Sequence, residues 1–109
     1  MLPAGQLRNR IAVQRPATGK DTDGNVQQGW LDLDKLWSRK EDLSGRELEA
    51  AQSLHAEITT RFTIRFRGDI DATMRIVYAG QFYGVRAILD KTGLRVEQQV
   101  LCSTGLNDG

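Results

Sequence analysis

The stretch of sequence that decides the fold is Glu57-Ile-Thr-Thr-Arg-Phe-Thr-Ile-Arg-Phe-Arg67. Its apolar and small side chains fall at every second position, at Ile58, Thr60, Phe62, Ile64 and Phe66. Polar side chains fill the other positions, at Glu57, Thr59, Arg61, Thr63, Arg65 and Arg67. A period of two is typical of a β-strand with one face on a core and the other toward water or a partner. We therefore predict that this stretch is the central strand of a small antiparallel sheet or barrel.

Five other segments have the alternation or the flanking turns of strands. They are Leu7 to Arg15, Trp30 to Arg39, Met74 to Tyr78, Phe82 to Leu89 and Leu94 to Cys102. With the central strand they predict a mainly β fold, a small six-stranded antiparallel β-barrel or sandwich, in a single domain over residues 1–109. We expect its core to contain Ile58, Phe62, Ile64, Phe66, Ile76 and Val85.

Two irregular features interrupt the strand pattern. Pro16 to Gly29 is polar, holds three glycines and contains the turn dipeptide Asp23-Gly24, so we predict a long loop there. The apolar period breaks between Leu33 and Leu36, which predicts a β-bulge or a bent strand at a barrel corner.

One short helix is predicted between the second and third strands. Ser44 has the residue type of an N-cap, and Glu47 three residues later would complete a capping box. Leu43 and Leu48 are spaced to form a hydrophobic staple around it. The helix should reach about Leu54, but its apolar content is thin. We therefore expect the segment to be weakly docked and, with the loop before Trp30, the least protected part of the chain away from the termini.

Composition narrows the function classes. The chain has 15 basic and 14 acidic residues, so its net charge of +1 does not call for a nucleic acid or a membrane. One cysteine excludes an internal disulfide and fits a reducing compartment. We expect no signal peptide and no membrane-spanning segment, because no apolar run is long enough for either.

Residues that could carry catalysis are few. His55 is the only histidine, and it lies at the end of a weak helix with no convincing nucleophile beside it. Cys102 lies on the apolar face of a strand, which favours a buried small side chain. The Asp21–Gly24 and Asp69–Asp71 pairs fit turns better than calcium loops, and no helix follows Gly80–Gly84 to make a phosphate loop. The sequence therefore predicts no enzyme, no catalytic or metal-binding residue and no cofactor.

The polar face of the central strand is the main functional question. Arg61, Arg65 and Arg67 could follow the phosphates of a single-stranded nucleic acid, as in small barrels that bind one. Such sites also use aromatic side chains on the same face, whereas Phe62 and Phe66 point the other way. Arginine is also enriched at protein interfaces. We favour a subunit interface at these three arginines and keep a single-stranded nucleic-acid-binding barrel as the alternative.

The order of several short segments resembles a known family, the head–tail joining proteins of long-tailed phages, also called head-completion, stopper or adaptor proteins. None of the segments is a catalytic signature, and the resemblance comes from their order over nearly the whole chain. They are Gly5–Gln14, the glycine-rich stretch before Trp30, Leu36–Ser38, Leu43–Glu47, Thr63–Ile70 and Arg75–Tyr83.

This resemblance implies a non-enzymatic structural protein that forms a ring beneath the portal, joins the phage head to the tail and helps to retain packaged DNA. Its implied partners are portal or adaptor proteins, tail proteins, other copies of itself and, without sequence preference, DNA in the channel; no membrane is implied. The implied location is the virion, with the host cytoplasm during assembly. A segment of such proteins between strands 2 and 3 can project into the channel. In this chain that segment is about Asp42 to Glu57, and it begins with Asp42, Leu43, Ser44, Gly45, Arg46 and Glu47.

The free protein is expected to be a monomer or a small oligomer. Its charge is near neutral and it has no long exposed apolar run, so the sequence gives no sign of an obligate interface. A ring would then form only on the portal assembly.

Overall fold

The computed structural model describes residues 7–20, 26–90 and 93–104. Within them the chain forms six strands and one helix: β1 (Asn9–Lys20), β2 (Val26–Asp42), α1 (Gly45–Leu54), β3 (Thr60–Arg65), β4 (Arg75–Tyr78), β5 (Gln81–Leu89) and β6 (Glu97–Thr104). The strands close into a barrel in the order β1-β2-β3-β6-β5-β4, and every neighbouring pair is antiparallel. The predicted mainly β fold is therefore confirmed, as a barrel. None of the described helical residues forms a helix long and apolar enough to span a bilayer.

The barrel interior is built around Phe62 on β3. Its ring is fully buried and meets Tyr83 edge-on at 5.1 Å and Tyr78 at 6.5 Å between ring centroids. Edge-to-face pairs of this kind add to the stabilisation that burial gives. The apolar side chains packed with Phe62 come from five strands and the β3–β4 connection; the buried ones are Ile11, Val13, Ile64, Ile70, Met74, Ile76, Tyr83, Val85, Val100 and Cys102.

The predicted core is confirmed at five of its six positions. Phe62, Ile64, Ile76 and Val85 are buried inside the barrel. Ile58 is also buried, but outside the barrel wall, in a second apolar cluster with Ala51 and Leu101. Phe66 is wrong as a core residue, since it is only half-buried. Strand β3 ends at Arg65. Phe66 therefore lies beyond the closed barrel wall, although the alternation in the sequence continues through it.

The predicted loop at Pro16 to Gly29 is wrong for the residues that the structure describes. Here β1 and β2 continue as a two-stranded hairpin, with Pro16 opposite Trp30 and Lys20 opposite Val26. Residues 15–20 pair with residues 26–31 and with no other described strand, and we call these two segments the hairpin arm. Cross-strand backbone hydrogen bonds hold these residues extended although apolar and polar residues do not alternate along them, so their strands have no signal in the sequence pattern. The expected Asp23-Gly24 turn lies outside the described residues.

A stacked arginine joins the hairpin arm to the barrel. The Arg75 guanidinium lies 4.2 Å from the ring centroid of Trp30 on β2 and 4.1 Å from that of Phe82 on β5. Its Nε donates a hydrogen bond to Gln14 Oε1 at 2.8 Å. Although it is charged, Arg75 is buried, because the two rings cover both faces of its planar group.

The predicted bulge is confirmed and lies at Leu33. Val13 pairs with Asp34 and Gln14 with Asp32, so Leu33 is an extra residue on β2. An extra residue shifts the alternation of the bulged strand by one position. After the bulge, Leu36 and Ser38 turn inward and Trp37 turns outward.

Helix α1 lies outside the barrel and has the predicted position. Ser44 is its N-cap residue, but the Ser44 side chain makes no capping hydrogen bond, so the predicted capping box is wrong. Glu47 instead forms an ion pair with Arg61 of β3. Gly45 begins the helix with a φ of 57°, a left-handed conformation that favours glycine. Ala51 is the one buried residue of α1, so the helix docks through a small contact.

Candidate interaction surface

The apolar cluster around Phe62 fills the barrel interior, so side chains that could meet a partner lie on the outer face. Of the three arginines predicted there, two are neutralised within the chain. Arg61 pairs with Glu41 of β2 and Glu47 of α1, each at 2.9 Å, and its side chain is only 12% exposed. Burial alone would raise the pKa of Glu41, but the hydrogen bonds and charges of Arg61 and Arg39 together outweigh it and lower that pKa. Arg61 thus ties β2, β3 and α1 together.

Arg67 is also held by carboxylates of its own chain. Its Nε and Nη2 donate to the two oxygens of Asp69 at 3.0 and 2.7 Å, and its Nη1 donates to Asp34 at 2.5 Å. These hydrogen bonds from Arg67 lower the pKa of both Asp34 and Asp69, and they raise the pKa of Arg67 itself. Arg67 lies beyond the end of β3, and its ion pair with Asp34 joins this part of the chain to β2.

Arg65 differs from these two arginines, because it is exposed and makes no ion pair with any described residue. It lines a cavity of about 230 Å³ together with Lys35 and Trp37 of β2. Trp37 is 51% exposed, and the Arg10 guanidinium of β1 lies 5.2 Å from its ring centroid. We call Arg10, Lys35, Trp37 and Arg65 the Trp37 face. It combines an exposed aromatic ring, the Arg10 guanidinium over that ring and two further cations that line the same cavity as Trp37.

Sequence reasoning did not single out Trp37. The signal that could have found it is the predicted bulge, since a shift in alternation after Leu33 puts Leu36 inward and Trp37 outward.

The start of the predicted channel segment, Asp42–Glu47, lies against the barrel. Asp42 pairs with Lys40, and the Leu43 amide donates to the Thr59 carbonyl at 2.9 Å. Leu43 packs on the second apolar cluster, while Ser44, Gly45, Arg46 and Glu47 are exposed. The start of the segment is thus fixed to β3, and its polar residues face solvent.

A second cavity, of about 120 Å³, opens between α1 and the barrel wall. We call it the α1 cleft. Its lining comes from α1, β3, β5, β6 and the connection between β2 and α1: Leu43, Glu47, Ala50, Ala51, Leu54, Arg61, Leu89, Gln99 and Leu101. Leu54 is 57% exposed at its edge. The cleft is therefore mainly apolar, with the carboxylate of Glu47 beside it.

The outer face of β3 is more covered than the sequence predicts. Thr63 was expected to face water or a partner, but it is fully buried between Arg39 of β2 and Gln99 of β6. Among the described residues, Thr63 Oγ1, Gln99 Oε1 and Arg61 Nε are buried without a hydrogen-bond partner. Buried polar atoms of this kind destabilise a fold, so the middle of β3 is not a solvated face.

The residues considered for catalysis lie apart from these surfaces. His55 follows α1, and its Nδ1 accepts a hydrogen bond from the Glu57 amide at 3.3 Å. Cys102 is fully buried in the barrel, and burial raises the pKa of its thiol. In the part of the chain that the structure describes, no group of three or more histidine, cysteine or acidic residues could hold a metal ion.

Comparison with known proteins gives the family. The phage head completion protein family matches residues 2–105. Head completion protein gp7 of Enterobacteria phage HK97 is 29% identical, with 93% of this chain and 95% of that protein covered.

Two solved structures share the fold. A protein of Shigella flexneri 2a, known from its solution structure, is 30% identical with a TM-score of 0.75, covering 95% of this chain and 97% of its own. A chain in the virion of a native gene transfer agent particle has a TM-score of 0.57 at 9% identity, covers 93% of this chain and 97% of its own, and so shares the fold alone. With a family match over almost its entire length, this chain belongs to the phage head completion protein family.

Proposed function

We propose that this chain is a structural connector of the phage particle that forms a ring beneath the portal, joins the head to the tail and helps to retain packaged DNA. The family match over residues 2–105 is the observation that carries this proposal. The fold supports it. A ring needs two different contact surfaces on each subunit, because its contacts are heterologous. We propose the Trp37 face and the α1 cleft as two such surfaces. The proposed partners are portal or adaptor proteins, tail proteins and other copies of the chain, in the virion and, during assembly, in the host cytoplasm.

Complementation of defective heads tests this function. DNA-filled heads are prepared from a phage that lacks this gene, and purified protein is then added. We expect the protein to make the packaged DNA resistant to loss and to allow tails to join, measured as nuclease-protected DNA and as infectious particles. Heads that keep their DNA and accept tails equally well without the protein would rule out the connector role.

The Asp42–Glu47 segment is proposed to contact a partner within the ring. The backbone hydrogen bond from Leu43 to Thr59 and the ion pair of Glu47 with Arg61 hold it on the barrel wall. These contacts favour a surface between subunits over a free segment that projects into the channel. Replacing Arg46 and Glu49 with alanine would change this surface while leaving the ion pair and the buried Ala51 in place.

The alternative, a barrel that binds single-stranded nucleic acid, gains one supporting observation. Trp37 supplies an exposed aromatic ring beside Arg65, as base-stacking sites require. Titration of a labelled oligonucleotide at increasing salt separates the two functions. A nucleic-acid-binding barrel loses affinity steeply as salt rises, whereas a connector subunit is expected to bind at most weakly at every salt concentration.

A further inference from the structure

We propose that the edge of β2 at residues 35–37 pairs with a short, extended and acidic segment of another connector protein. This inference deepens the proposed function by stating the chemistry of one partner, and it rests on that function. Three observations carry it: a strand edge that pairs with no described strand, a cavity beside that edge, and two exposed cations that line the cavity.

The register of β2 leaves one of its edges open. One edge pairs with β1 over residues 26–38, whereas the other edge pairs with β3 only over residues 39–42. In the described part of the chain, no strand pairs with this second edge before Arg39, and we call its stretch at residues 35–37 the open edge. Such an edge is a template for another strand, because its N–H and C=O groups have no ladder to join.

The direction of the backbone groups shows which residues face the open edge. The Lys40 amide donates to the Asn9 side chain on β1 at 3.1 Å, so the Lys40 backbone points toward β1. Backbone groups point to opposite edges at successive residues, so those of Lys35 and Trp37 point away from β1. Accordingly, the Lys35 amide donates to the exposed carboxylate of Asp34 at 2.8 Å and not to a strand.

A cavity provides room beside the open edge. Strands β2 and β3 are paired as far as Arg39 and then separate, since residues 64 and 65 of β3 pair with β6 and with no other described strand. The cavity of about 230 Å³ has residues 35–37 on one side and residues 64 and 65 on the other, so it lies in this gap. The gap ends at the ion pair of Arg67 with Asp34, and it therefore suits a short segment.

The charges beside the gap favour an acidic segment. Lys35 and Arg65 are exposed on its two sides, and neither forms an ion pair with a described residue. At the far end, Arg67 lies between Asp34 and Asp69, and both carboxylates are already bonded to it. A carboxylate on the outer face of an added strand would be the cross-strand neighbour of the Lys35 and Arg65 side chains, and such opposite-charge pairs stabilise a sheet.

The open backbone groups favour a peptide over a nucleic acid. A peptide backbone offers both acceptors and donors to the edge, whereas a phosphate group offers acceptors alone. The same edge of a second copy would bring like charges together, which destabilises a strand pair. The Trp37 side chain projects from the outer face of β2, so a strand added in the plane of the wall leaves its ring for a contact between copies.

Two substitutions at one position separate the backbone from the charge. Lys35→Ala removes the cation, whereas Lys35→Pro also removes an N–H group of the open edge, and proline is tolerated on edge strands. DNA-filled heads and tails are joined at a protein concentration that half-saturates the wild-type reaction. We expect about tenfold fewer tailed particles with Lys35→Pro than with Lys35→Ala. Equal yields from the two variants, both with wild-type denaturation midpoints, would overturn the proposal.

Hydrogen exchange on the wild-type protein tests the contact if Lys35→Pro folds poorly. The Trp37 amide points to the open edge, while the Leu36 amide points to β1. In tailed particles we expect the Trp37 amide to exchange about tenfold more slowly than in the free protein, or slower still. The Leu36 amide is the control and should exchange slowly in both states. An exchange rate of the Trp37 amide that is the same in both states would overturn the proposal.

A photo-crosslinking side chain identifies the occupant of the gap. Lys35→benzoylphenylalanine places the reactive group beside the open edge. After tailed particles are irradiated, we expect an adduct with a different connector protein, at a peptide that contains aspartate or glutamate. Adducts only with DNA or only with other copies of this chain, or no adduct at all, would overturn the proposal.

The combined outcomes separate this contact from the proposed function. If the wild-type protein restores DNA retention and tail joining but the Trp37 amide is not protected in particles, the contact is wrong and the connector function stands. If the wild-type protein restores nothing, both are wrong.

Discussion

Phe62 is the largest fully buried side chain among the described residues. It is fully buried and makes edge contacts with two tyrosines. Truncating Phe62 to alanine should lower the free energy of unfolding by about 3–5 kcal/mol, the usual cost for a buried aromatic side chain. Chemical denaturation measures it, with Phe66→Ala as the control at a half-buried position. A loss below about 1 kcal/mol for Phe62→Ala would mean that Phe62 is not a core residue.

Because of Arg67, the free energy of unfolding should change with pH in the acid range. Its hydrogen bonds lower the pKa of Asp34 and Asp69 in the folded state. A carboxylate with a lowered pKa contributes stability above its unfolded pKa of about 3.9 and loses that contribution as pH falls through the folded value. We therefore expect Arg67→Gln to be less stable than wild type near neutral pH and to approach it below about pH 4.

Denaturation midpoints at several pH values test this expectation. Arg65→Gln is the matched control, because Arg65 makes no ion pair with a described residue. A stability difference between wild type and Arg67→Gln that is the same at neutral and acid pH would contradict the role assigned to the two carboxylates.

At the scale of the element, the start of α1 depends on Gly45 more than on Ser44. Gly45 has a φ of 57° with open space around its Cα, so alanine there would strain only the backbone. We expect Gly45→Ala to cost about 1 kcal/mol. Ser44→Ala should cost less than the ~0.5–2 kcal/mol typical of a capping residue, because the Ser44 side chain makes no capping bond. Equal losses in urea denaturation, or a larger loss for Ser44→Ala, would contradict this order.

Helix α1 should open more easily than the barrel wall. It buries one residue, Ala51, while β3 buries most of its length. Regions with few buried contacts exchange their amide hydrogens through local opening at low free energy. We expect residues 47–54 to exchange faster than residues 62–64 in the free protein. Equally slow exchange in both would make α1 part of the fixed core.

The elements also show what the sequence can and cannot predict. The strict alternation from Ile58 to Ile64 gave the central strand, because one face of that strand is the core. The hairpin arm was missed, because its two strands hold each other through backbone bonds and need no apolar face. Thr63 was expected to face water or a partner, but it is buried between β2 and β6, and a local pattern does not report such cover. Trp37 was passed over, because the bulge at Leu33 reverses the alternation.

For the whole molecule, the closed barrel limits how copies can meet at the wall. There the strands are paired around the full circle, so copies that meet at the wall must associate through side chains. The net charge is near neutral and the sequence has no long apolar run, so no obligate interface is evident. We expect the free protein to be a monomer or small oligomer by light scattering. A large stable ring in dilute buffer would contradict this, and would mean that the copies bind tightly without the portal.

The stacked Arg75 has a mechanical consequence. Because its guanidinium contacts Trp30 of the hairpin arm and Phe82 of β5, bending the arm at its base would separate the Trp30 ring from the cation. A load on the arm would reach β4 and β5 through this contact as well as through the pairing of β1 with β4. We therefore expect Trp30→Ala to loosen the arm relative to the barrel.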